Sequence, residues 1–185
     1  MSPTPRQLAF WSRAAIVSIT VITILAVTNV FLWRNWSDYL LDQRNPLAYV
    51  PVTIAATCFI RWLYLASRAV VGDAGSGLEP GMAIYGWFVP GANLFWPRRV
   101  VADVVRLSAP DPAESRSSMR LVNLWWLAFA GGYWVLSTLV GLVVIRTPSA
   151  WLIDWLHIAF LVAAATFAVP MIRRIDGFLQ ARLVR

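Results

Sequence analysis

Gly86-Trp87-Phe88-Val89-Pro90-Gly91-Ala92-Asn93-Leu94-Phe95-Trp96-Pro97, followed without a spacer by Arg98-Arg99-Val100-Val101-Ala102-Asp103-Val104-Val105-Arg106-Leu107, decides how many times this chain crosses a membrane. The stretch is too apolar for an ordinary loop and too interrupted by Pro and Gly for an ordinary spanning helix. Gly81 to Trp96 is 16 residues. That is about 24 Å even if wholly helical, short of the ~30 Å hydrocarbon layer. Pro90 removes a backbone donor and turns Val89 away from helical geometry. Unpaired backbone groups are costly in lipid, so residues 81–97 must be shielded by other helices or lie at the interface, as an interfacial or re-entrant segment. Trp87 and Trp96 favour the interface, where the ring is apolar and the indole N–H is wet.

Outward from this segment, the composition is that of an integral membrane protein. Hydrophobic residues make up 59% of the chain and charged residues 14%, against about 45–50% apolar in soluble domains. Runs of about 20 apolar residues, enough to span as helices, account for the excess. Ala14 to Trp33 and Leu121 to Ile145 carry no charge, Trp151 to Ile172 carries only Asp154 and His157, and Leu47 to Ser67 contains Arg61. Four spanning helices are expected, at about 14–33, 47–67, 121–145 and 151–172. The first is too long for a signal peptide and lacks a small-x-small site, so it reads as an uncleaved anchor. The single cysteine, Cys58, leaves no internal disulfide and no cysteine metal cluster.

All 16 basic residues are arginine. Thirteen fall before the first span, after the fourth, or in the central region between the second and third when Arg61 in the second span is counted with it; Arg34, Arg44 and Arg146 fall in the alternate loops. The positive-inside rule therefore places both termini and the central region in the cytoplasm, at the plasma membrane. A fifth crossing at 81–97 would carry part of the arginine-rich centre outside, and is rejected. The same bias, with attraction to anionic head groups, accounts for a pI near 10.7 without a nucleic-acid partner.

Pro97 suits the first turn of a helix. Over 97–108, Val100, Val101, Val104, Val105 and Leu107 share a broad face, with Arg98, Arg99, Asp103 and Arg106 opposite. Arg99 and Asp103 form an i,i+4 pair. This basic amphipathic helix either lies on the inner leaflet or packs its apolar face on the bundle, and the two are compatible. On either side, Val71 to Pro80 reads as a glycine-rich linker and Asp111 to Arg120, with Ser115, Ser117 and Ser118, as a polar return loop.

Arg61 is expected to snorkel to the inner head groups or stack on an aromatic ring. Ala128/Gly132, Ser137/Gly141, Ala159/Ala163 and Ala164/Ala168 set small residues four apart, a pattern of close helix contact within the bundle or in a dimer. Pro170 is expected to kink or end the last helix. Asp154 and His157, one turn apart, are a candidate polar pair, but one His and one Asp do not make a metal site. Neither a catalytic constellation nor a cofactor motif is evident, so no cofactor is expected. The Asn35-Trp36-Ser37 sequon reads as chance.

Phe59-Ile60-Arg61-Trp62-Leu63-Tyr64, then Pro80 to Pro90, then Asn93-Leu94-Phe95-Trp96-Pro97 with the following Asp103 and the pair Trp125-Trp126, resemble a family. That family is the bacterial, mainly actinobacterial, membrane family named domain of unknown function 4328. The joint spacing of Pro90, Asn93 and Pro97 carries the resemblance, over about Leu47 to Ala130. It implies a four-helix bacterial membrane protein and transfers no activity. The whole reads as an all-α polytopic membrane protein in one domain, 1–185. The function expected is a non-enzymatic module in which Trp87, Trp96, Arg98, Arg99 and Arg106 contact inner-leaflet lipid or a membrane partner, a second copy included. The alternative is a small transporter or channel subunit, with 81–97 as a re-entrant element and Asn93 at its tip.

Overall fold

A computed structural model describes residues 3–32, 50–74, 79–132 and 150–183. Among them are six α-helices and no strand: α1 (Pro5–Leu32), α2 (Val50–Ala74), the single-turn α3 (Met82–Tyr85), α4 (Trp96–Ser108), α5 (Pro112–Ala130) and α6 (Ala150–Leu183). A 3-10 turn at Ala92–Leu94 precedes α4.

Several helices begin before their apolar runs because the sequence caps them there. Thr4 Oγ1 accepts from the Gln7 N–H at 3.2 Å, and Gln7 Oε1 accepts from the Thr4 N–H at 3.2 Å. This reciprocal capping box, with Pro5 in the first turn, starts α1 nine residues ahead of the expected Ala14. Asp111 Oδ1 likewise accepts from the Ala113 and Glu114 N–H groups at 2.7 and 2.8 Å, with Pro112 in the first turn. Residues 112–120, expected as a loop, are therefore the first turns of α5.

Helix polarity follows from contacts between their ends. Gln180 Nε2 donates to the Pro5 carbonyl at 2.9 Å, so α1 and α6 are antiparallel with the start of one beside the end of the other. Arg182 donates to the Leu107 carbonyl at 2.7 Å and Arg174 to Ser117 Oγ at 2.9 Å, bringing the end of α4 and the start of α5 to the same place. Arg61 of α2 reaches Trp11 of α1. The chain thus leaves this end along α1 and α5 and returns along α2 and α6.

Burial is divided along the helices. Leu8 of α1, Trp62 and Val70 of α2, Val101 of α4, Val122 of α5 and Ile175 of α6 are all at most 1% exposed and lie in one core at the shared end. Every arginine among the described residues belongs to this half, which we call the head. Away from it the helices are bare: Val17, Ile24 and Leu25 on α1, Val52 and Ile54 on α2, and Trp155 and Leu156 on α6 are exposed. Apolar surface on that scale marks a face that meets a membrane or another protein. Three helices are long and apolar enough to cross a membrane, with candidate spans Pro5–Thr28, Val50–Val70 and Trp155–Leu183.

Three, not four, is therefore the number of spans among the described residues. The expected helix 121–145 is followed from the head as far as a π-type turn at Gly131 and Gly132, and its remainder lies outside the described residues. So do Gly75 to Leu78 of the linker, the Asn35 sequon, Ser137/Gly141 and Arg146; Val71 to Ala74 are the last turn of α2 rather than linker. Helix α6 neither ends at Pro170 nor stops at Ile172, and continues to Leu183. The hydrogen bond Pro170 cannot make is offset by packing, since Ala168, Met171 and Ile172 around it are at most 2% exposed. Helices α5 and α6 approach closely at Gly132, where a Cβ would stand 2.6 Å from Phe160 Cβ.

Candidate membrane-contact site

The segment expected to be broken is a succession of tight turns, and its backbone is bonded within itself. Gly86 donates to Met82 O, Trp87 to Ile84 O, and Phe88 and Val89 to Tyr85 O, at 3.0–3.2 Å. Beyond Pro90, Gly91 turns the chain at φ 80°, a left-handed conformation that favours glycine. Asn93, Leu94 and Phe95 then donate to Val89, Gly91 and Ala92 carbonyls at 3.0–3.2 Å. Most N–H groups of this non-helical stretch are thus satisfied locally, which lowers the cost of placing it beside lipid. Glycine at 86 also lets Trp96 close on the turn, for a Cβ there would meet Met82 O at 2.6 Å and Trp96 Cβ at 3.2 Å.

Trp87 anchors this knuckle from below. Its ring lies edge-on to Phe59 of α2 at 6.0 Å and to Phe129 of α5 at 5.8 Å, with Trp126 at 6.4 Å. Aromatic pairs in such geometries add about 0.5–1.5 kcal/mol each beyond burial. Its Nε1, like that of Trp62, is buried without a hydrogen-bond partner among the described residues. The expectation of a wet interfacial indole is therefore corrected: Trp87 faces the core. Trp96 is half-buried, edge-on to Tyr85 at 6.3 Å. The residues that project are Phe88, 73% exposed, and Phe95, 70% exposed, with Val89 and Leu94 exposed between them. Sequence reasoning passed over both phenylalanines in favour of the tryptophans beside them. Phe59 precedes Arg61 on α2, and Phe129 lies in the last turn of α5, at the end that points away from the head.

Pro90 is exposed at the tip, Asn93 is half-buried in the 3-10 turn, and Pro97 is buried in the first turn of α4. The valine face of α4 is consumed by packing. Val100, Val101, Val104 and Val105 are at most 3% exposed against the head core, a burial that contributes roughly 1.5–3 kcal/mol per side chain. Arg98 donates through Nε and Nη2 to Asn123 Oδ1 of α5, at 3.2 and 2.6 Å, fastening the start of α4. Asp103 pairs with Arg106 at 3.2 Å and not with Arg99 as the spacing suggested. An acid N-terminal to its base is the orientation that the helix dipole favours. Arg99 is exposed.

Tyr85 donates to Glu79 Oε2 at 2.9 Å, and this bond to the carboxylate, with lesser contributions from desolvation and the Glu79 charge, holds the phenol above its ordinary pKa. Asp154 lies on α6 with its side chain outside the described residues, and His157 is half-buried.

The family profile described as domain of unknown function (DUF4328) matches residues 35–178 of this chain. The chain belongs to the DUF4328 family. The matched DUF4328 region takes in the knuckle, α2 to α5 and nearly all of α6, and leaves α1 outside it. No curated protein and no solved structure matches the chain.

Proposed function

We propose that this DUF4328 chain is a non-enzymatic module of the bacterial plasma membrane that inserts the Phe88–Phe95 knuckle into the cytoplasmic leaflet. One observation carries the reading: two phenylalanines at least 70% exposed on a turn that is anchored by Trp87 and bonded within itself through most of its backbone N–H groups. Exposed rings on an internally bonded turn suit the interface, where apolar side chains enter the acyl region and water and head groups remain within reach of the backbone. The arginine count supports the cytoplasmic side. The valine face of α4 is buried, so lipid contact falls to the knuckle, with Arg99 beside it.

The test is depth measurement by spin labelling of protein reconstituted in bilayers, in a Cys58→Ser background. A label at Phe88→Cys should be relaxed by oxygen and shielded from a water-soluble nickel complex, and one at Arg99→Cys should show the reverse. Equal exposure of both labels to nickel would put the knuckle in water and end the proposal.

A further inference from the structure

We propose that the knuckle makes this protein favour membrane whose cytoplasmic leaflet is loosely packed, reading the gaps between head groups rather than their charge. The inference rests on the reading that the knuckle enters that leaflet. Residues 80–97 include no charged side chain. The large side chains they expose are apolar or aromatic: Ile84, Tyr85, Phe88, Val89, Leu94 and Phe95.

The arginines that follow add little pull at the point of entry. Arg98 directs Nε and Nη2 to Asn123 Oδ1 of α5. Arg106 is paired with Asp103 at 3.2 Å. Arg99, one turn after Phe95, is exposed without a side-chain partner among the described residues. Attraction to an anionic leaflet grows with the number of basic residues held near it. Insertion of rings grows instead with the apolar area they bury. With two phenylalanines and one unengaged arginine, the second term dominates here.

Trp87 decides which side gives way. Its ring contacts with Phe59 and Phe129 hold the turn to α2 and α5, so withdrawing Phe88 would pull those rings apart. The cost of entry therefore falls on the lipid, whose head groups must part around the two phenylalanines. Parting is cheaper where head groups already stand apart, as on a convex leaflet or among lipids with small head groups. Shallow apolar insertion is accordingly sensitive to curvature and to lipid composition.

The experiment reconstitutes the full chain into phosphatidylcholine vesicles of mixed size, with a fluorophore on Glu114→Cys in a Cys58→Ser background. Only molecules reached by an impermeant quencher are counted, so that the head faces the convex leaflet. Their density per membrane area should be about twofold higher in the small vesicles than in the large ones. Phe88→Ser with Phe95→Ser, which alters exposed side chains only, should lose most of that contrast, and Phe88→Ser alone should lose part of it. Arg99→Gln and added phosphatidylglycerol should leave it unchanged. Added phosphatidylethanolamine should narrow it, because large vesicles then offer gaps as well. A contrast that persists in the serine variants, follows phosphatidylglycerol or Arg99, or ignores phosphatidylethanolamine would overturn the proposal. Absence of contrast while a label at Phe88→Cys stays shielded from nickel would overturn it and leave insertion standing; exposure of that label to nickel would end both.

Discussion

Trp87 and Phe88 are neighbours in the chain and face opposite ways: the indole is enclosed by Phe59, Trp126 and Phe129, while the phenyl ring is 73% exposed. Truncating them should therefore have separable effects. Trp87→Ala should cost about 3 kcal/mol of stability, the low end for an aromatic removed from a core. Phe88→Ser should leave the thermal midpoint in detergent within about one degree of wild type, for an exposed side chain contributes little to the fold. Thermal unfolding followed by circular dichroism checks both.

Gly132→Ala places a Cβ 2.6 Å from Phe160 Cβ. Overpacking of this kind costs about 1–3 kcal/mol. The unfolding midpoint should fall, and combining the change with Phe160→Ala should recover part of the loss. Additive losses in the double variant would show that the α5–α6 approach is not limited at this point.

Val101→Asp distinguishes a packed α4 from one lying on lipid. At 0% exposure the new carboxylate is buried without a partner, so the variant should be destabilised by several kcal/mol and fail to give a monodisperse peak in detergent. A helix resting only on the leaflet would accept the change in micelles.

The hydrogen bond from Tyr85 to Glu79 raises the phenol pKa above 10.0. The folded state thus holds this proton more tightly than the unfolded chain. Its contribution is fully present below pH 10 and is lost as pH rises through the elevated folded value. Ultraviolet titration should show one phenol ionising late in wild type, absent in Tyr85→Phe and moved to lower pH in Glu79→Gln.

Asp111→Ala removes the acceptor for two N–H groups at the start of α5 and should cost about 1 kcal/mol. Asp111→Asn should recover most of it. Amide exchange over residues 113–116 gives the local readout.

Three of the four apolar runs fall on helices long and apolar enough to span, with their ends misplaced, and the fourth is described only as far as Gly132. Hydropathy measures what lipid accepts, so it began α1 at Ala14 and stopped α6 at Ile172, where charge appears. The helices continue past those points because Thr4–Gln7 and Asp111–Glu114 cap them and the head packs them. Those signals were readable in the chain. The outward turn of Phe88 and Phe95 was not, because it depends on Phe59 and Phe129, which lie about thirty and forty residues away in sequence. Pro97 was placed correctly because its helical preference is local. The choice of Asp103 between Arg99 and Arg106 was also local, and the dipole rule would have settled it.

The bond from Gln180 to the Pro5 carbonyl joins residues 175 apart. At ~5–20 residues per second of translation, the first helix is made roughly 9–35 s before its partner exists. For that interval α1 has its hydrophobic length but no head to belong to, and its arginines alone must hold its orientation. The head can close only as the last helix arrives, so truncation near the end of the chain should release the beginning.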